Sequence, residues 1–235
     1  MINEVLDRNT IDKSLETLAL INENLRWEII CEIDKREKEE YNEKLKIFKD
    51  LHDKNIKVTE DLHIKKGKAL EDLVTYLLEI SGKLFEVERN IRTTTNEIDQ
   101  IIMLKPMGKM LMSYGLLDKR FGTFLGECKN YNKSVDVTYV GKFCSLLMTN
   151  QIKLGILFSY HGISGKNWSN GSGLVKKIYL NKEKLEERIC IIDFSIKDFE
   201  RISKGNNFIQ IVIDKLNALQ FDTDISRFIN KHPAE

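Results

Sequence analysis

The chain has 235 residues, of which 42% are hydrophobic and 31% charged, and 37 Lys and Arg residues nearly balance 36 Asp and Glu residues to give a net charge of +1. This supply of apolar side chains is enough to form a core, so the composition excludes a wholly disordered protein. Lysines interrupt every apolar stretch before the roughly 18 residues that a membrane span requires, and the N-terminal segment lacks the apolar core of a secretory signal, so we expect a cytoplasmic protein that does not enter the membrane.

The first 63 residues have the pattern of helices. Apolar residues recur every three or four positions in residues 18–29 and 45–51, and neither Gly nor Pro interrupts the segment. The apolar seam lapses between residues 33 and 41, which argues against a continuous coiled coil. Residues 1–63 are therefore predicted to form a helical arm or hairpin, which we expect to contact a second copy of the chain or a partner subunit.

A helix and a β-hairpin are predicted next. The segment LEDLVTYLLEI has the apolar spacing of an amphipathic helix, which Gly82 would end. Apolar and charged residues then alternate in residues 85–91, which indicates a strand. The polar run at residues 93–96 separates it from a second strand at residues 97–103. These two strands are expected to pair as a hairpin.

The following segments complete the order helix, three strands, helix and strand. Residues 104–120 are predicted to form an excursion with a short helix, before a third strand at residues 123–131. Helical spacing predicts a helix at residues 137–150, and the apolar run LGILFSY, which begins at Leu154, predicts a buried strand. The order αβββαβ indicates an α/β fold with a central mixed sheet.

The C-terminal part is predicted to add one more strand and further helices. A loop rich in Gly, Ser and Asn at residues 161–173 precedes a helix, a strand that begins at Cys190 and two helices that end near Phe221. His161 lies in the loop and is expected to fill a turn rather than to act in catalysis. Residues 64–235 are therefore expected to form one α/β domain.

The cysteines and histidines do not have the spacing of a zinc site. The chain contains neither a CxxC nor an HExxH motif, and its four histidines are scattered. A zinc enzyme is therefore not expected. The four cysteines are expected to be buried free thiols; they are Cys31, Cys128, Cys144 and Cys190.

Three charged residues on the predicted second and third strands suggest a catalytic site. Glu127 and Lys129 are two residues apart on one strand, so their side chains project from the same face. Asp99 joins them if the second and third strands are neighbours. Two carboxylates can hold a Mg²⁺ ion that keeps several waters, and a lysine beside the attacking water can orient it or stabilise the charge of the transition state. This combination predicts phosphodiester cleavage.

The motifs around these residues resemble a known family. They are KGKALEDLVTYLL with Glu71, NIRTTTNEIDQII with Asp99, and FLGECKNY with Glu127 and Lys129. Over about residues 64–165 the chain resembles the PD-(D/E)xK, or restriction endonuclease-like, nucleases, and within them the Mrr-like branch of bacterial restriction enzymes.

The resemblance implies a metal-dependent DNA endonuclease, possessing a restriction endonuclease-like core and acting in restriction or phage defence. It implies Mg²⁺, or Mn²⁺ in its place, as the cofactor, with Asp99 and Glu127 as its ligands. Lys129 would lie beside the water, and Glu71 would assist from the helix. The residues alone leave a second interpretation of Glu71, as a helix residue paired with Lys68 or another charge.

Two features bear on contacts with DNA. Residues 66–180 carry the surplus of Lys and Arg, where a polyanion could be steered and bound. Lys133 and Lys142 are candidates for phosphate contacts or for solvated surface residues. His161 could also approach DNA from its loop, although filling a turn is the expected role. The chain departs from the family pattern at Ile98, which replaces the proline, and in the next helix, which offers Lys142 and no clear glutamine.

Two other functions remain open at this point. A structure-selective nuclease of DNA repair would have the same site on the same fold. Alternatively, an interaction protein would retain the nuclease fold as a scaffold, with its N-terminal helices binding a partner. Intact Asp99, Glu127 and Lys129 argue against the scaffold.

Overall fold

A computed structural model describes residues 8–53, 60–92, 97–165 and 170–221. Within these ranges the chain forms an α/β fold with one five-stranded mixed sheet. The strands are β1 Phe85–Arg92, β2 Glu97–Leu104, β3 Thr123–Lys129, β4 Leu154–Ser159 and β5 Cys190–Phe194. The helices are α1 Arg8–Leu20, α2 Glu23–Ile30, α3 Lys35–Asp53, α4 Glu60–Ile80, α5 Pro106–Ser113, α6 Val137–Thr149, α7 Gly171–Leu180, α8 Ile196–Ser203 and α9 Phe208–Gln220.

The strands lie in the sheet in the same order as in the sequence. The pairs β1–β2 and β2–β3 are antiparallel, whereas β3–β4 and β4–β5 are parallel. Helix α6 connects β3 to β4, as a parallel pair requires. The predicted α/β class and mixed sheet are confirmed. The elements α4, β1, β2, β3, α6 and β4 also follow the predicted order, with α5 inside the predicted excursion.

The sheet is covered on both faces. Side chains alternate along each strand, so Phe124 and Ile156 join the cluster on the side of α4, whereas Leu125 and Leu157 join the cluster on the side of α6 and α7. All four are buried. Burial on both faces explains why β4 reads as a continuous apolar run rather than as an alternating one.

The N-terminal helices pack on the α4 side of this core. Trp27 of α2 and Phe48 of α3 are completely buried in the same cluster as α4 and the sheet. The Tyr41 hydroxyl donates a hydrogen bond of 2.9 Å to the carbonyl oxygen of Phe199 in α8. The division between residues 63 and 64 stays a prediction, and it falls inside α4, which begins at Glu60.

Several boundaries differ from the sequence pattern. Helix α4 ends at Ile80 rather than at Gly82, whose φ of +63° lies in the left-handed region that glycine adopts without strain. Strand β3 ends at Lys129, two residues early, and α7 begins at Gly171, inside the predicted loop. The predicted turn at residues 93–96 lies outside the described residues.

The predicted state of the cysteines is confirmed, since all four are buried free thiols. Among the helices of the described ranges, none combines the length and the apolar character that a bilayer span requires.

Candidate active site

The site lies where β2 and β3 stop pairing with each other. Their ladder runs from Met103 opposite Thr123 to Gln100 opposite Gly126. One residue further, Oδ2 of Asp99 accepts a hydrogen bond of 2.9 Å from the backbone N–H of Cys128. The carboxylate thus takes the place of a backbone acceptor, and this bond fixes Asp99 against β3.

Lys129 joins the two predicted carboxylates. Its Nζ lies 2.6 Å from Oε1 of Glu127 and 3.3 Å from Oδ2 of Asp99. The three side chains are each between 17% and 20% exposed, so they are shielded from bulk water but still reachable from it. The structure therefore brings together the three residues of the predicted catalytic site.

The ionisation of these groups follows from their burial and from each other. Burial raises the pKa of Glu127, and the charge of Asp99 raises it further, while Lys129 lowers it only in part. Burial lowers the pKa of Lys129, but the attraction of Glu127 and Asp99 outweighs burial and raises this pKa above its usual value. Lys129 is consequently a protonated ammonium at neutral pH, which can donate hydrogen bonds but cannot accept a proton.

The carboxylates fit a hard divalent cation. No described hydrogen bond or ion pair engages Oδ1 of Asp99 or Oε2 of Glu127, so each residue keeps one oxygen for a metal. Two carboxylates and one ammonium also leave a net negative charge. In the described part of the chain no group of three or more His, Cys, Asp or Glu side chains is arranged to hold a metal ion. A two-carboxylate site suits Mg²⁺, which retains several waters, better than Zn²⁺.

Glu71 is engaged elsewhere. Its Oε2 lies 3.0 Å from Nη2 of Arg89 on β1, and the neighbouring Asp72 binds Nη1 of the same guanidinium at 2.9 Å. No described hydrogen bond or ion pair joins Glu71 to Asp99, Glu127 or Lys129. The structure supports the interpretation of Glu71 as a residue paired with another charge, and that charge is Arg89 rather than Lys68. Its assisting role stays a prediction.

A buried glutamine holds α4 against the strands of the site. Gln100 is fully buried beside Asp99, and its Nε2 donates to Oγ1 of Thr75 on α4 at 3.1 Å. Its Oε1 would lie 2.8 Å from a Cβ atom at position 126, so only glycine fits there in β3. The close approach of Gln100 therefore explains why a glycine occupies position 126 in the FLGECK motif.

The two candidate DNA contacts, Lys133 and Lys142, are both exposed. Nζ of Lys142 lies 5.5 Å from the centre of the Tyr139 ring, a cation–π contact in α6. Tyr139 in turn packs on Tyr131, with ring centres 5.3 Å apart. Burial and the hydrogen bond with Tyr139 raise the pKa of Tyr131 to about 12, against the opposing charge of Lys129. Sequence reasoning missed this tyrosine pair, although Tyr139 stands in the first turn of the helix that follows β3.

Comparisons of the chain with protein-family models, with curated proteins and with solved structures found no match. The case for a function therefore depends on the residues and geometry of the site.

Proposed function

We propose that this protein is a metal-dependent DNA endonuclease of the PD-(D/E)xK type, and that it acts in restriction or phage defence, the setting that the motif resemblance implies. The observation that carries the proposal is the meeting of Asp99, Glu127 and Lys129 at the point where β2 and β3 separate. The order α4, β1, β2, β3, α6, β4 supports a restriction endonuclease-like core.

Each residue of the site has a distinct part in the proposed hydrolysis. Asp99 and Glu127 would hold Mg²⁺, or Mn²⁺ in its place, through the oxygens that Lys129 does not engage. When bound, such a metal would supply Lewis-acid activation of the phosphate and of the attacking water. Lys129 donates hydrogen bonds to that water or to a phosphate oxygen, and its charge stabilises the negative charge that grows in the transition state. The bond from Cys128 keeps Asp99 in place.

Cleavage assays test the proposal directly. We would incubate plasmid, linear, methylated and single-stranded DNA with Mg²⁺ or Mn²⁺ and compare wild type with Glu127→Ala and Lys129→Ala. Glu86→Ala and Lys109→Ala are matched controls, since they remove the same side chains from exposed positions. We expect cleavage by wild type and both controls and none by the two site variants.

Three other results would redirect the proposal. Preference for junctions, flaps or single strands over duplex DNA would favour the structure-selective repair nuclease. Metal binding without cleavage of any substrate would indicate that the site requires an activator. Absence of both metal binding and cleavage would favour a scaffold that binds a partner.

Contact with a second copy of the chain, one of the two alternatives for the N-terminal helices, is also part of the proposal, because two paired sites could cut both strands of a duplex. Sedimentation of the free protein and of its DNA complex tests this. If the protein is a monomer both free and on DNA, each binding event would cleave only one strand of the duplex.

A further inference from the structure

A polar corner lies beside the proposed active site, beyond the ends of β3 and β4. Lys129 pairs with Ser159 at the last position of the two parallel strands, so Asn130 and Tyr160 are the first residues after them. On the α4 side of this edge, Lys66 is only 3% exposed. Its Nζ donates one hydrogen bond of 3.0 Å, to Oδ1 of Asn132.

Lys66 has no counter-charge among the described residues. None of the described carboxylates forms an ion pair with it, whereas Lys129 and Lys215, which are 20% and 12% exposed, each contact two carboxylates. Burying an ammonium without a counter-ion is costly, and the cost is recovered when an anion binds beside it. Two N–H groups of Lys66 remain for such an anion. Asn132, which accepts the bond from this ammonium, is itself exposed, so the ammonium lies next to a surface side chain.

Hydrogen bonds fix the wall of the corner. Nδ2 of Asn130 donates to the carbonyl oxygen of Lys66 at 2.9 Å, so its Oδ1 faces Nδ1 of His52 at 3.3 Å. Because an amide oxygen only accepts, His52 donates from Nδ1, and its Nε2 lies 3.1 Å from Nε2 of His161. The Tyr160 ring stacks on His52 with centres 3.5 Å apart. The exposed His161 is thus held in place by contacts that involve α3, α4 and the loop after β3. It lies at the outer rim of this corner.

The chemistry of the corner suits a phosphate group. It offers an ammonium, amide groups and imidazoles. The nearby carboxylate of Asp193, which faces Gly162, already forms an ion pair with Lys215. A DNA strand presents phosphates at regular intervals, so a strand with one phosphate at Lys129 has others within reach along the same sheet edge.

We propose that Lys66, with His161 at the rim, binds a DNA backbone phosphate that flanks the phosphate being cleaved. This inference depends on the proposed function for the identity of the ligand as DNA. Lys66 and His161 are binding residues in this scheme, and α3 contributes to the substrate site through His52.

Affinity measurements on variants test the proposal. In the Lys129→Ala background, which we expect to bind DNA without cutting it, we would measure the Kd for a duplex by fluorescence anisotropy at several salt concentrations. Lys66→Gln is compared with Lys65→Gln, which removes the same charge from the exposed neighbouring position. We expect Lys66→Gln to raise Kd about tenfold. The slope of log K against log salt should become shallower by about 0.9, the effect of one lost phosphate contact.

His161→Ala provides a second variant that does not depend on a buried position. It should raise Kd several-fold, whereas His63→Ala, at an exposed position of α4, should not. In the cleaving enzyme, Lys66→Gln should raise KM and leave kcat near the wild-type value, as expected of a contact made equally in the ground and transition states.

The outcomes separate this inference from the proposed function. Wild type that cleaves DNA while Lys66→Gln and His161→Ala behave like their controls would overturn the phosphate site alone. Wild type that binds DNA without cleaving it would count against the nuclease, and the same variants would still decide the phosphate site. If wild type binds no DNA, both proposals fail.

Discussion

Within the described ranges, a lysine lies between two carboxylates at two places, and these places differ in what surrounds them. Lys129 contacts Glu127 and Asp99 at 2.6 and 3.3 Å. Lys215 of α9 contacts Asp198 and Asp193 at 2.9 and 3.4 Å. Distances and residue types alone would therefore predict the same function for both.

The carboxylate of Asp198 is fully engaged. Its Oδ2 accepts hydrogen bonds from the backbone and hydroxyl of Ser195 at the start of α8, besides contacting Lys215, and its Oδ1 faces Arg201. The side chain is only 6% exposed. Nearby, Asp214 binds Gln210 and Arg201 with its two oxygens. This second group is an ionic cluster that connects β5, α8 and α9.

The comparison shows which features indicate a site for chemistry. Around Lys129, one oxygen of each carboxylate has no described partner, and the group lies at a strand edge that a polymer can reach. Around Lys215, Oδ2 of Asp198 accepts hydrogen bonds from Ser195, and Oδ1 forms an ion pair with Arg201. This difference supports the catalytic role proposed for the first group and a stabilising role for the second.

Lys215→Met should have the largest effect, and the effect should be on stability. It would leave Asp198 and Asp193 without their ammonium, and breaking a buried ion pair in this way costs about 3–5 kcal/mol. Urea unfolding measures the loss. Lys197→Met, at an exposed position of α8, should change the free energy of unfolding by less than about 0.5 kcal/mol. Equal effects of the two substitutions would mean that the cluster does not stabilise the fold.

Lys129→Ala should lower the catalytic activity, in contrast to Lys215→Met, which should lower the stability. Loss of a donor that stabilises transition-state charge lowers kcat by about 100- to 1000-fold. Steady-state cleavage of DNA by folded protein measures this. Lys215→Met should retain its kcat per folded molecule, provided that the assay temperature lies below its unfolding transition. A similar fall in kcat for both variants would remove the distinction between the two groups.

Stabilisation by Mg²⁺ sharpens the comparison of the carboxylates. A metal that binds only the folded state raises the free energy of unfolding by about 1.4 kcal/mol at ten times its Kd. We expect this increase in wild type and in Asp193→Ala, and we expect Glu127→Ala to lose it. Unfolding curves with and without Mg²⁺ provide the measurement. Stabilisation that persists in Glu127→Ala would place the metal elsewhere.

The strands, and the meeting of Asp99, Glu127 and Lys129, could be predicted from the sequence because their signals are local. Alternation within eight residues indicated β1 and β2, and the spacing of Glu127 and Lys129 placed them on one face. The position of Asp99 required only that β2 pair with β3, and strands that follow each other in the sequence are usually neighbours in a sheet.

The corner around Lys66 could not be predicted in this way. Lys66 is separated in sequence from Asn132 by 66 positions and from Asn130 by 64. His52 and His161 are 109 positions apart. Strand β3 ends next to these contacts, since the side chain of Asn130 bonds to the carbonyl oxygen of Lys66 in α4. The helical pattern suggested Lys68 or another charge as the partner of Glu71. It could not identify Arg89, because Arg89 lies on β1 and not on the same helix.

The smallest predicted effect concerns pH and the metal-free protein. Burial and then Asp99 raise the pKa of Glu127 in the folded state, so the folded protein binds a proton more tightly than the unfolded chain does. Between the unfolded and folded pKa values the folded state holds more protons, and its stability must therefore fall as pH rises through this window. The stability of Glu127→Gln should not fall in this way, because glutamine cannot ionise. The free energy of unfolding of the variant should therefore increase relative to that of wild type from pH 4 to pH 7. Saturating Mg²⁺ should abolish the shift, since a cation favours the ionised carboxylate. A constant difference across this range without metal would show that Glu127 titrates alike in both states and that its carboxylate is not held against that of Asp99.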